Sequence, residues 1–331
     1  MPDKILLGHG SGGRMTRELV RDLFCRQLGD VAPDSMDDGA ILSADGKIVF
    51  TTDSYVVSPL EFPGGDIGTL AVCGTVNDVA VMGARPLWLS LGVILEAGIE
   101  LDLLERIVRS IATKAREAGV KIVCGDTKVV EKGKGDGIFI NTSGIGVLEH
   151  PLVPETIEPG DKIIVTGTVG DHGMALLTMR KGFPLKSDLK SDCAPLNHML
   201  AAAQEGADVK WMRDATRGGV ATVLNELAEN RPWGVLLQEN DIPLSDAVAG
   251  VSELLGLDPL YSANEGKAVL VVSASAAAAV LDVLKQSPYG RDAAVVGSIV
   301  ADYPGKTVLN TEMGTLRTLG ILASDPLPRI C

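Results

Sequence analysis

Between His150 and Asp161 the chain reads HPLVPETIEPGD, three prolines and a glycine in twelve residues. Proline fixes φ, removes a backbone donor and restrains the residue before it, so neither a helix nor a central strand runs through such a stretch. The break falls near the middle of 331 residues, a length past which a single core stops growing. The division predicts two domains, at 1–150 and 151–322, followed by a tail at 323–331.

Helical and strand patterns alternate within each block. MTRELVRDLFCRQL (15–28) sets Met15, Leu19, Leu23 and Phe24 at helical spacing. KIVFTTDSYVV (47–57) is a β-branched strand carrying Asp53 near its end. DIGTLAVCGTVNDVAVMGARP (66–86) predicts a helix of small residues closed by Gly83 and Pro86, with LWLSLGVIL as a strand after it. DLLERIVRSIATKAREAG (102–119) predicts a helix capped by Asp102 and stopped by Gly119. VKIVCGDTKVV predicts a strand followed by a polar loop, and GIFINTSGIGVL a further strand. In the second block KIIVTG, KAVLVVS, AAVVGSIV and TVLN predict strands, Met174–Lys181 a helix, and RDATRGGVATVLNELAEN (213–230) a helix capped by Asp214. The fold class is α+β, two α/β-type domains whose strand order periodicity does not supply.

Apolar residues make up 46% of the chain and charged ones 22%, which excludes a disordered chain. A formal charge of −13 with no Lys or Arg block repels nucleic acid. A phosphate ligand would therefore need a mediating metal ion. Cys25, Cys73, Cys124, Cys193 and Cys331 are odd in number, with no Cys-x-x-Cys pair, so neither a disulfide framework nor a zinc site is expected. The four outside the tail lie in apolar or helical contexts and read as core or half-buried thiols. His9, His150, His172 and His198 are equally scattered and read as surface or hydrogen-bonded histidines, which leaves oxygen as the metal ligand. No apolar run reaches the roughly 20 residues of a membrane span, and MPDKILLGHG lacks the apolar stretch of a secretory leader. A cytoplasmic protein without membrane contact is expected.

No G-x-x-x-x-G-K-[ST] loop occurs, and no G-x-G-x-x-G follows a strand. Four aspartate stretches carry more information: MDDGA (36–40), TTDSY (51–55), VNDVA (76–80) and RDATRGG (213–219). Each sets a carboxylate among small residues, where a bulky ligand can approach the backbone. Carboxylates converging on one point repel one another unless a hard cation lies between them, and Mg²⁺ with bound phosphates is the usual partner. Taken singly, each Asp is equally a turn former or helix cap.

Together these stretches, with GHGSGG (8–13), GDTKVV (125–130), NEGKAV (264–269) and the terminal PRIC (328–331), resemble the HypE family of hydrogenase maturation factors. That family lies within the superfamily of aminoimidazole ribonucleotide synthetase, selenophosphate synthetase and thiamine-phosphate kinase. The resemblance runs from Gly8 to Cys331; the aspartate motifs mark the superfamily, GDTKVV and PRIC the family. It implies two aminoimidazole ribonucleotide synthetase-like domains with mixed sheets covered by helices. The first would bind ATP and form a homodimer through its sheet, and a mobile tail would carry a modified Cys331. The implied reaction is ATP-driven dehydration of an S-carbamoyl group on Cys331 to a thiocyanate. The carbamoyl group would come from the carbamoyltransferase HypF, and the cyano group would pass to iron on the HypC–HypD complex for nickel–iron hydrogenase.

Carried over motif by motif, Asp38, Asp53, Asp78 and Asp214 are the implied Mg²⁺–ATP ligands, with Asp37 and Asp126 as further candidates. Gly10, Ser11, Gly12 and Gly13 would close over the phosphates, with Thr127 also at the nucleotide. Lys128 and Glu265 would meet the modified tail, one taking a proton from the carbamoyl nitrogen while the other orients the group; as plain residues they would form an exposed salt bridge. Nine tail residues, partly polyproline-like, reach roughly 25–30 Å from the folded body. Pro326 and Pro328 would stiffen that reach, and Arg329 would favour the thiolate. Two other readings stay open: another ATP-dependent kinase or synthetase of the superfamily, and a carrier whose cysteine shuttles a group made elsewhere.

Overall fold

The structure, a computed structural model, describes residues 3–33, 39–181, 188–322 and 330. Asp37, Asp38, Pro326, Pro328, Arg329 and Cys331 lie outside the described residues. At the N-terminus one 3₁₀ turn, Leu7–Gly10, leads into a helical run made of α1 (Arg14–Leu19), a π turn (Val20–Cys25) and α2 (Arg26–Leu28). Leu19, Leu23, Phe24 and Leu28 are its buried face, as their spacing predicts.

The first block continues through β1 (Ile48–Tyr55), a ribbon of β2 (Glu61–Phe62) and β3 (Gly65–Asp66), α3 (Ile67–Val81), β4 (Ala84–Glu96), α4 (Leu101–Ala118), β5 (Lys121–Val130) and β6 (Ile138–Leu148). The sheet order is β1-β6-β4-β5, antiparallel apart from the parallel β4–β5 pair. Helix α4 buries one stripe, including Leu104, Ile107, Val108 and Ile111. Gly119 ends it in the left-handed conformation, φ 73°, whereas Asp102 sits in its first turn rather than at the cap. Helix α3 is enclosed on all sides, and Asp78 alone of its residues is not buried. Its small residues permit this: a Cβ on Gly68 would press on the Ile107 carbonyl oxygen, and one on Gly74 on the Tyr55 hydroxyl.

Two local expectations are corrected. Pro86 does not close α3 but lies within β4, beside a register shift between Pro86 and Trp88, where a missing N–H is tolerated. GDTKVV is not a polar loop: β5 runs through it to Val130, because parallel pairing with β4 supplies the ladder that its polar side chains do not advertise.

The second block contains β7 (Lys162–Val165), α5 (Asp171–Lys181), α6 (Asn197–Gln204), β8 (Val209–Asp214), α7 (Gly219–Ala228), β9 (Gly234–Gln238), α8 (Asp246–Leu255), β10 (Ala268–Val272), α9 (Ala277–Gln286), β11 (Ala294–Val300), β12 (Thr307–Asn310) and β13 (Leu316–Leu319). Its mixed sheet has the order β13-β12-β9-β11-β7-β10-β8. Alternation along β7 and β10 feeds two cores: Ile163, Val165, Val269 and Val271 face α7, while Ile164, Leu270 and Val272 face α6 and α9. Ala80 and Val81 of α3 join the second core, so that helix is shared between the two blocks.

Candidate active site

Three of the predicted aspartates meet where α3, β1 and β8 converge. Asp53 projects from β1 on the face of its cross-strand partner Thr142, which bonds to Thr75 of α3. Asp78 on α3 accepts a hydrogen bond from Thr51 Oγ1 at 2.8 Å. Asp214 ends β8 opposite Ala268 of β10; it is not a helix cap, since Gly218 occupies that place before α7. Burial raises the Asp214 carboxyl to about 7, with the charges of Asp78 and Asp53 adding to the rise and Arg213 opposing it. Burial raises Asp78 too, and Asp53 again contributes. Arg213, the cation whose charge bears on both Asp78 and Asp214, is engaged with Glu226 at 2.6 Å.

Such mutual repulsion fits a site completed by a hard cation. Among the described residues no set of three Asp, Glu, His or Cys side chains is arranged to hold a metal ion by itself. That suits Mg²⁺, which usually takes one or two carboxylates and fills its remaining positions with phosphate and water oxygens.

Glu265 lies alongside. Its side chain is buried, and among the described residues Oε1 has no hydrogen-bond partner. Burial holds the carboxyl well above the ordinary range, and Asp192, Asp214 and Asp53 push the same way. Burial therefore favours the protonated form of this carboxyl, which can donate a proton as well as accept one. The predicted exposed salt bridge is thus corrected for this residue.

Each neighbour in NEGK has a mechanical part. Asn264 Oδ1 accepts from the Gly170 N–H at 2.7 Å, and its amide donates to the Ala215 and Ser262 carbonyls. A Cβ on Gly266 would overlap the Asp192 carbonyl. Lys267 stands 3.3 Å from Asp192 Oδ2, and Asp192 Oδ1 accepts from the Glu265 N–H at 3.0 Å. From the other side Asn77 of α3 donates to the Ala194 carbonyl at 3.0 Å and to the Glu265 carbonyl at 3.4 Å, and accepts from Leu196 N–H at 2.8 Å.

The remaining candidates lie elsewhere on the chain. GHGSGG packs on β5, where a Cβ on Gly10 would overlap the backbone of Val129. The Gly12 N–H is held by Thr16 Oγ1 at 2.9 Å, Ser11 Oγ donates to the Gly8 carbonyl at 3.0 Å, and Gly13 leads directly into α1. A cavity of about 180 Å³ beneath this run is lined by Thr16, Phe24, Cys124, Asp126 and Thr127 among others. Strands β5 and β1 are opposite edges of their sheet, so three strand spacings, about 14 Å, separate this loop and Thr127 from Asp53.

Lys128 pairs with Asp126 at 2.5 Å and shares the outer sheet face with Ile94, Phe139, Asn141 and Ser54, away from Glu265. One chain thus gathers Asp53, Asp78, Asp214 and Glu265, and does not bring Gly10–Gly13, Thr127 or Lys128 to them. Asp38 and Cys331 lie outside the described residues.

Sequence reasoning overlooked Asn77, Asp192 and Lys267. Asn77 and Lys267 stand inside quoted motifs, and their polarity within small-residue or apolar runs was the available signal. Asp192 carried none.

Comparison with known proteins places this geometry. The AIR synthase related protein N-terminal domain matches residues 36–148 and its C-terminal domain residues 158–310. The carbamoyl dehydratase HypE of Rhodobacter capsulatus is 46% identical over 340 residues, covering 99% of this chain and 98% of that protein. A crystal structure of the hydrogenase maturation protein HypE in complex with ATP superposes with a TM-score of 0.94 at 45% identity, covering 98% of this chain and 99% of that one. The chain of a HypE–HypF complex gives 0.80 at 43% identity, covering 94% and 100%. With two matched domains and near-complete coverage at this identity, the chain belongs to the carbamoyl dehydratase HypE family, built on the AIR synthase related fold.

Proposed function

We propose that the chain dehydrates an S-carbamoyl group on its own Cys331 to a thiocyanate, using ATP. The carbamoyl oxygen attacks the γ-phosphorus and ADP leaves. The resulting S–C(=NH)–O–phosphate, having given up one nitrogen proton to the departing ADP, loses the second together with phosphate and becomes S–C≡N. Asp53, Asp78 and Asp214, with Asp38, would surround the Mg²⁺–phosphate site, one or two of them binding an ion that, when present, would neutralise the phosphate oxygens. The Glu265 carboxyl, whose protonated form burial favours, accepts the second nitrogen proton at Oε1 and returns its own from the other oxygen to the departing phosphate. It ends neutral, and no charge is created in the buried site.

The observation that carries this reading is the burial of Ile330. The residue before the terminal cysteine is 2% exposed within the core cluster shared with Met174, Leu176 and Cys193, and Cys193 follows Asp192, which accepts the Glu265 N–H. A HypF-type carbamoyltransferase is the proposed donor, since HypF accompanies HypE in the complex that superposes on this chain. A HypC–HypD complex is the proposed acceptor of the cyano group, by family likeness. We place the reaction in the cytoplasm; among the described residues no helix is long and apolar enough to cross a membrane. A homodimer across the outer sheet face, where Ile48, Phe50 and Ile94 are exposed, would offer Lys128 and the glycine loop of one copy to the acid cluster of the other.

The test is intact mass after incubation with the carbamoyltransferase, carbamoyl phosphate and ATP. Gain of one carbamoyl group followed by loss of one water, absent in Cys331→Ala, is expected. ATP consumption without a change at Cys331 would point instead to a free substrate. Glu265→Gln should keep ATP affinity and slow the loss of water by about 100-fold or more.

A further inference from the structure

His172 is an unusual core residue. It has no exposed surface, and nothing in the reaction as derived uses it. Its Nε2 lies 2.7 Å from the carbonyl oxygen of Ile330, 158 residues away in sequence. Its Nδ1 lies 2.8 Å from Ser191 Oγ, which also accepts the Cys193 N–H at 3.1 Å. These partners fix the tautomer. A carbonyl can only accept, so Nε2 carries the proton, and Nδ1 accepts from the Ser191 hydroxyl. Burial keeps the ring uncharged, against the pull of Asp192 and with help from Arg180. Phe62 packs edge-on at 5.5 Å and 85° and prevents the ring from turning. The Gly173 N–H bonds to the Ala263 carbonyl and the Ser191 N–H to the Pro63 carbonyl, which pins both supporting segments.

An imidazole so placed is costly unless its N–H is satisfied, and among its described contacts the partner of that N–H is the chain end. The segment Ser191–Ala194 links this contact to the reaction site. Ser191 orients the ring at one end. Asp192 receives the Glu265 N–H and Ala194 donates to the Glu265 carbonyl at the other.

We propose that His172, oriented by Ser191, is a positioning residue that registers the C-terminal tail: its Nε2–H holds the Ile330 carbonyl and so fixes where the following residue is presented. The inference rests on the reading of the tail as the reacting group, but its test separates the two. In the full-length protein with ATP, the rate of Cys331 alkylation by iodoacetamide, located by peptide mass, reports docking. Single-turnover loss of water from the carbamoylated protein reports chemistry.

His172→Phe should fill the space without the donor, raising alkylation and slowing dehydration by about tenfold each, the equivalent of one buried hydrogen bond. ATP affinity should not move. His172→Gln can place an amide N–H near the same carbonyl and should restore both rates to within about threefold. Ser191→Ala, which frees the ring without removing its donor, should change both in the same direction by less, and it carries the test if His172→Phe does not fold. Unchanged alkylation in His172→Phe, or failure of His172→Gln to restore it at a wild-type melting temperature, overturns the latch. Faster alkylation in His172→Phe with no dehydration by any protein, the wild type included, keeps the latch and overturns the functional reading.

Discussion

Two lysine–aspartate pairs illustrate how the same chemistry serves different ends. Lys128 and Asp126 meet at 2.5 Å on an open sheet face with side chains 60% and 67% exposed. Lys267 and Asp192 meet at 3.3 Å with side chains 10% and 4% exposed, and Asp192 Oδ2 lacks hydrogen-bond geometry to any partner. The first pair is shorter and worth less, because water competes for both ions. The second is longer and hard to lose, because neither ion can retreat to solvent. Contact distance alone would rank them backwards. The exposed pair is also the one whose lysine can let go and engage something else, whereas the buried lysine is committed to holding Asp192 under the backbone of Glu265.

The largest effect should come from Lys267→Met, which removes the cation from the buried side of Asp192. A loss of about 3–5 kcal/mol in urea unfolding is expected, and a loss below about 1 kcal/mol would show that water reaches the pair. Asn77→Ala strands the Leu196 N–H and should cost about 2 kcal/mol, with slower dehydration because the backbone of Glu265 loses one of its anchors.

A pH dependence follows from His172, whose folded pKa lies below its ordinary 6.5. At this site the unfolded chain binds more protons below pH 6.5, so the contribution of His172 is fully present above that value and is lost as the pH drops through it, opposite in sign to the raised carboxyls of Asp78, Asp214 and Glu265. His9, also lowered by burial, carries the same sign as His172. Relative to wild type, His172→Gln should lose less urea midpoint, or gain more, between pH 6.5 and 5, and an unaltered slope would leave the histidine titration with His9. Smallest should be Lys128→Met, within about 0.5 kcal/mol in stability. A much larger loss would mean that a second copy buries this pair, and the comparison would have to be redrawn for the dimer.

What the sequence disclosed depended on how far apart the deciding residues lie. Helix α4 was readable because its stripe and its glycine stop are local. Strand β5 was misread because its reason for being a strand is β4, more than thirty residues upstream. Asp53, Asp78 and Asp214 were each ambiguous until α3 was seen to pass between β1 and β8. Lys128 and Glu265 looked equivalent as polar residues in short motifs, yet one faces solvent and the other a core, a distinction that no local pattern carries. His172 was passed over because a lone histidine among scattered ones announces nothing until its partner is known to be the far end of the chain.

The enclosure of α3 has a consequence for how the site receives its substrate. With Asn77 tied to Ala194, Leu196 and Glu265, and with Ala80 and Val81 embedded in the opposite block's core, the two halves are fastened to each other along α3 as well as joined by the segment between them. A group that comes to Glu265 therefore meets a frame already tied together along α3, not one assembled around it.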